Sequence, residues 1–202
     1  MKAIVRLAAS GAAVAACALI AATPALAQPA PAKLAVEAPN YVTIPMEITV
    51  NRPAAEVWKR IGKYCDIGEW MQIPAGCQIT SGADGQVGAV RTVGREILVG
   101  RTELSYSYTQ PVYEGRGYNL YHGTLEARPL TAKTSKIVYT LMYDNSAVPG
   151  DAAAKQAEMQ RRRTTFERAL GNMKILAEGG TLPPPPPRPA PTAAPAAAAP
   201  PH

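Results

Sequence analysis

Residues 51–94, NRPAAEVWKRIGKYCDIGEWMQIPAGCQITSGADGQVGAVRTVG, constrain the fold more than any other part of the chain. They read as the end of a strand, a Pro-initiated helix, a short second helix and then strands. Pro53 suits the first turn of a helix, where its missing N–H has no partner to lose, and Asn51 stands where a cap would. The helix is therefore expected to begin near residue 53. Val57, Trp58 and Ile61 recur at helical spacing, while Glu56, Lys59, Arg60 and Lys63 take the polar side. One face packs and the other is wet. Beyond Trp70 and Pro74 the glycines of SGADGQVG precede AVRTV, which has the alternation and β-branching of a strand.

After Arg91 the chain reads as a run of antiparallel strands. Residues 97–109 and 117–128 alternate, with Leu104, Tyr106 and Tyr108 sharing one face of the first and Tyr121, Gly123, Leu125 and Ala127 one face of the second. Over 136–144, Ile137, Tyr139, Leu141 and Tyr143 share a face. From Asp151 to about Ala177 a long helix carries Met159, Phe166, Leu170, Met173 and Ala177 at helical spacing and ends before Gly179-Gly180.

This order of features resembles the START-like (SRPBCC) superfamily, in its polyketide cyclase/dehydrase and lipid-transport branch. The resemblance rests on the PAAEVW helix start at Pro53–Trp58, the Asp66-to-Trp70 turn, and Gly85-x-x-Gly88-Ala-Val-Arg91 leading into a strand. SYSYTQP and YHGTLEARP match the later strands, so it covers residues 41–178. It implies an α+β helix-grip fold: a curved antiparallel sheet wrapped around a long C-terminal helix, with two short helices after the first strand. It also implies a cavity between sheet and helix. Fold alone does not give chemistry.

The ends of the chain lie outside that domain. Met1, Lys2 and Arg6 form a short positive region, an Ala-rich apolar run follows to Ala22, and Ala25-Leu26-Ala27 supplies the small residues a signal peptidase reads. Residues 1–27 are thus expected to be a signal peptide, and the protein periplasmic or secreted. The run is too short for a stable membrane span. Val14-Ala15-Ala16-Cys17 also resembles a lipoprotein box, so anchoring through a lipidated Cys17, with membrane association, stays open. Residues 28–40, rich in Pro and Ala, form a linker. Residues 179–202, with five prolines at 183–187, form a disordered Pro/Ala-rich tail that favours polyproline II and leaves docking to a protein partner open.

Without Lys2 and Arg6 the 21 basic residues fall to 19 against 15 acidic ones, a net charge of +4. With no basic-aromatic stripe, this mild excess argues against nucleic acid. Cleavage after Ala27 leaves Cys65 and Cys77 as the only cysteines, an even count in an oxidising compartment, and a disulfide between them is expected. His122 is the only histidine besides His202, so no metal site is expected. No cofactor motif appears either.

The expected ligand-binding residues are Trp70, Arg91, Glu103, Tyr106, Tyr108, Tyr121, Tyr139, Tyr143 and Arg163. Tyrosine offers an apolar body with a hydroxyl that wants a partner, which suits an amphipathic ligand such as a sterol, polyketide or lipid. Arg163 falls on or beside the apolar stripe of the last helix, where a charge needs a partner or water. Arg91 matches the arginine of the family pattern or pairs with Glu103 across strands. His122 points to the opposite face. No nucleophile–base pair, paired carboxylates or phosphate loop is present. The reading is an exported binding or carrier protein for a hydrophobic small molecule. A cyclase/dehydratase acting on such a ligand is the alternative.

Overall fold

The first strand, β1 (Tyr41–Val50), alternates in burial as a strand with one wet face must: Ile44, Met46 and Val50 are buried while Thr43, Pro45, Glu47 and Thr49 are exposed. The structure is a computed structural model that describes residues 36–113 and 117–185. The expected signal peptide with Cys17, the linker as far as residue 35 and the tail beyond 185 lie outside the described residues.

Two short helices follow, α1 (Ala54–Ile61) and α2 (Ile67–Trp70). Pro53 sits at the N-cap of α1, and the expected side-chain cap from Asn51 does not form; the Asn51 amide instead donates to Glu178 Oε1 at 2.8 Å. Ala54, Val57 and Ile61 are buried, so the helix is held by packing. Burying a Val or Ile side chain contributes about 1.5–3 kcal/mol. A disulfide joins Cys65 to Cys77 and closes the loop that carries α2.

The remaining strands are β2 (Ile79–Ser81), β3 (Val90–Arg91), β4 (Ile97–Arg101), β5 (Ser105–Thr109), β6 (Asn119–Pro129) and β7 (Ser135–Asp144). They form one antiparallel sheet in the order β1-β7-β6-β5-β4-β3-β2, so every step but the first is between neighbours in sequence. Two expectations need correction. AVRTV is strand only at Val90–Arg91, because a 3-10 turn at Val93–Arg95 reverses the chain and pairs Val90 with Ile97. Residues 97–109 are a hairpin, not one strand. Its turn is held by the Thr102 amide on the Ser105 carbonyl at 2.9 Å and by the Thr102 and Ser105 hydroxyls at 2.7 Å.

The long helix α3 (Ala152–Ala177) begins at Asp151, whose carboxylate accepts from the Ala154 amide at 2.9 Å, an N-cap that satisfies one orphan donor. Its buried residues, Phe166, Ala169, Leu170, Asn172, Met173 and Leu176, all lie in the C-terminal half. The curved sheet grips this half. Asn172 Nδ2 donates to the Trp70 carbonyl at 2.9 Å and so ties α3 to α2. Past the helix, Leu182 packs on the core and Gln72 Nε2 donates to the Pro183 carbonyl at 2.6 Å, so the first residues of the expected tail lie against the domain.

Candidate functional site

Period-two burial brings tyrosines from three neighbouring strands onto the inner face of the sheet. Tyr106 and Tyr108 of β5, Tyr121 of β6 and Tyr139 and Tyr143 of β7 are all buried. Their rings run in sequence. Tyr64, just past α1, meets Tyr106 edge to face at 5.4 Å between centroids, Tyr106 meets Tyr108 at 6.4 Å, Tyr108 meets Tyr121 at 6.3 Å, and Tyr121 meets Tyr143 at 6.0 Å. Tyr139 branches off, with its hydroxyl 2.8 Å from that of Tyr108 and its ring against Phe166 at 4.8 Å and Trp70 at 6.2 Å. Gly123 makes this possible: a Cβ there would overlap the Tyr108 ring.

An arginine closes each end of the row. Arg91 is wholly buried under the rings of Tyr64 and Tyr108, with its guanidinium carbon 4.2 and 4.8 Å from their centroids. Its Nε donates to Glu96 Oε2 at 2.8 Å, its Nη2 pairs with the same oxygen, and its Nη1 donates to the Tyr64 carbonyl. Burial works against the Arg91 charge, but its surroundings, the Glu96 carboxylate among them, hold the guanidinium above its usual range. Burial likewise pushes the Glu96 carboxyl up, against the pull of Arg91 and of Gln110, whose Nε2 donates to Oε1 at 2.8 Å. Arg91 is therefore a buried cation whose charge is already committed to Glu96.

At the far end Arg162 lies over Tyr118 and Tyr143, at 4.4 and 4.6 Å, and pairs with Glu158, which also accepts the Tyr143 hydroxyl at 2.6 Å. Burial raises the Tyr143 phenol, and Glu158 raises it further. Tyr143 is thus a neutral donor.

Between α1 and the β4–β5 hairpin the surface opens into a cleft of about 320 Å³. Trp58, Tyr64, Leu98 and Tyr106 form its apolar lining, and Lys59, Lys63, Asp84 and Arg101 also line it. Gly62 shapes it, since a Cβ there would overlap the Trp58 ring. The Trp58 and Tyr106 rings are 5.7 Å apart. The hydroxyls of Tyr64 and Tyr106 are buried and have no acceptor among the described residues, nor has the Trp70 indole N–H, while the Arg91 guanidinium lies against Tyr106. Burial pushes both phenols up, opposed by Arg91, so both are neutral donors. Both donors belong to residues that line the cleft, and an oxygen of a bound molecule that reached them would satisfy them.

A family model described as polyketide cyclase/dehydrase and lipid transport matches residues 41–178. The chain belongs to that family. This member of the polyketide cyclase/dehydrase family shares its fold with a Nitrosospira multiformis protein, at 22% identity and a TM-score of 0.54 over 66% of this chain and 94% of the other. A Thermobifida fusca protein solved by NMR gives 22% identity and a TM-score of 0.56, over 68% and 95%. The di-domain ARO/CYC BexL from the BE-7585A biosynthetic pathway gives 18% and 0.50, over 68% of this chain and 46% of that one. A comparison with curated proteins found no match.

In this polyketide cyclase/dehydrase family member, seven of the nine residues singled out in the sequence come together: Trp70, Arg91, Tyr106, Tyr108, Tyr121, Tyr139 and Tyr143. Two do not. Glu103 is exposed in the β4–β5 turn, so the carboxylate that Arg91 meets is Glu96 and not Glu103. Arg163 lies outside against β1, with Nη1 donating to the Pro45 carbonyl at 3.0 Å. Its neighbour Arg162 takes the inner position. Sequence reasoning also missed Tyr64, Tyr118 and Glu158. The Glu158–Arg162 spacing of four on one helix is a signal that could have found that pair. His122 alternates outward as expected, half-buried, and burial lowers its pKa.

Proposed function

We propose that this is an exported binding or carrier protein for a hydrophobic small molecule, lipid, sterol or polyketide-like, taken up through the cleft floored by Trp58, Tyr64 and Tyr106. The observation that carries the reading is the pair of buried phenol O–H donors, without an acceptor among the described residues, on two cleft residues. A buried donor without a partner costs about 1–3 kcal/mol, so a ligand oxygen that meets it gains binding free energy. The family's own description couples polyketide chemistry with lipid transport, both of which handle hydrophobic molecules.

Export is supported by the signal-peptide pattern of residues 1–27 and by the Cys65–Cys77 disulfide, which is compatible with an oxidising compartment. Among the described residues no helix is long and apolar enough to cross a membrane. Carriage is favoured over cyclisation because the buried ionic groups are already engaged: Arg91 with Glu96, and Arg162 with Glu158. A dehydratase would have to rely on neutral phenols with raised pKa values, which are poor proton acceptors at neutral pH. Native mass spectrometry of the protein isolated from its own host tests this. A hydrophobic molecule retained and released unchanged supports the carrier. Conversion of that molecule on incubation supports the enzyme, and recovery of ligand-free protein that takes up no apolar compound contradicts both.

A further inference from the structure

The charge that reads a ligand at this cleft cannot be Arg91. Its guanidinium is already bonded to Glu96 and to the Tyr64 carbonyl and is wholly buried. The charges left over are at the rim. Lys59 stands in the last turn of α1 and Lys63 two residues past its end; both are exposed, both line the cleft, and neither has an ion pair among the described residues. Arg101 faces them from β4, its Nη1 spent on the Gly85 carbonyl at 2.6 Å but its charge unmatched by any ion pair among the described residues. Asp84 is the one acidic lining residue, and its Oδ1 already accepts the Tyr64 amide at 3.1 Å. Asp66, not itself a lining residue, accepts the Lys63 backbone amide at 2.9 Å and also feels the Lys63 charge, without a close ion pair. Nearby Arg60 is engaged by Glu69. The lining thus carries three cations against one carboxylate, above an aromatic floor.

We propose that the cleft selects anionic amphiphiles, with Lys59, Lys63 and Arg101 holding the acidic head group and Trp58, Leu98 and Tyr106 taking the apolar body. The inference rests on the binding reading above and narrows it from hydrophobic molecules in general to those with one acidic end. A cleft of about 320 Å³ is at the small end for ligand pockets, roughly 300–1,000 Å³, and so takes one chain or one compact ring system. Lysine stems cover apolar surface while their ammonium groups stay in water, which matches a ligand whose head remains at the surface.

The test is calorimetric titration with dodecanoate and with dodecanol, equal in chain and different in charge, at neutral pH and low salt. Wild type should bind dodecanoate about tenfold more tightly, and the preference should shrink as salt is added. In the exposed-site variant Lys59→Gln/Lys63→Gln, with unchanged thermal unfolding, the preference should fall to the small remainder that Arg101 supplies, while dodecanol binding changes far less. Trp58→Ala should weaken both ligands together. Equal binding of the two by wild type, or a preference undiminished in the double variant, overturns this inference alone and leaves the carrier reading standing. Binding of neither overturns the carrier reading with it.

Discussion

Arg91 and Glu96 are each other's compensation in a place without water. Removing one leaves the other as a buried charge with no counterion, which typically costs about 3–5 kcal/mol, whereas replacing both with apolar residues is often close to neutral. Arg91→Met should therefore lower the urea midpoint sharply, and Arg91→Met/Glu96→Met should recover much of the loss. A double variant no better than the single one would show that the pair is not the source of the cost. Asp144 works differently. Burial alone would raise its pKa, but bonds from the Ser146 and Asn40 amides, both within 2.9 Å, and from the Ser146 hydroxyl hold it below the ordinary 3.8. The folded carboxylate therefore resists protonation more than the unfolded one. Its stabilising contribution is complete at neutral pH and fades as pH falls through 3.8 toward the lower folded value. The gap in urea midpoint between wild type and Asp144→Asn should accordingly narrow between about pH 6 and pH 3. A constant gap would contradict this account of Asp144.

Elements were legible in the sequence wherever one face is buried along a regular period. The inner faces of β6 and β7 follow from alternation at Tyr121–Ala127 and Ile137–Tyr143, because a shift of one residue would turn every side chain outward. The β4–β5 turn was not legible, since Thr102, Glu103 and Leu104 include no Gly or Pro to mark it. That turn is why Glu103 ends in solvent. Glu96 escaped notice for the same kind of reason: only the reversal at Val93–Arg95 brings it back beside Arg91. Within α3, Arg161, Arg162 and Arg163 stand about 100° apart around the axis, and both Arg162 and Arg163 fit the stripe between Met159 and Phe166. Tertiary packing chose Arg162. The disulfide belongs to this scale too. It closes a loop with a sequence separation of 12 beside Tyr64 and α2, and Cys65→Ser/Cys77→Ser should cost about 3 kcal/mol in the chain-entropy model. Alkylation without reductant should label neither cysteine in the native protein, and quantitative labelling of both would show the bridge is absent.

At the scale of the whole molecule, the sheet and the C-terminal half of α3 hold a row of tyrosines whose interior hydroxyls largely satisfy one another or a charged neighbour. Tyr108 pairs with Tyr139, and Tyr143 with Glu158. The unmet phenols gather at one end, on residues that line the cleft. The family resemblance implies a ligand between sheet and helix, and the tyrosine content suggests that it is amphipathic. The open cleft lies on the α1–hairpin side of that row, and Tyr64 and Tyr106 link the two. The most direct measurement of this account is intrinsic tryptophan fluorescence of Trp70→Phe protein, in which Trp58 is the remaining reporter among the described residues, during titration with an apolar ligand, with Tyr106→Ala and His122→Ala compared on the same background. Saturable quenching or a spectral shift, weakened at least about tenfold by Tyr106→Ala and unaffected by His122→Ala, is the predicted result. Binding that leaves Trp58 fluorescence unchanged, or that His122→Ala damages more than Tyr106→Ala, would place the ligand elsewhere and contradict the account.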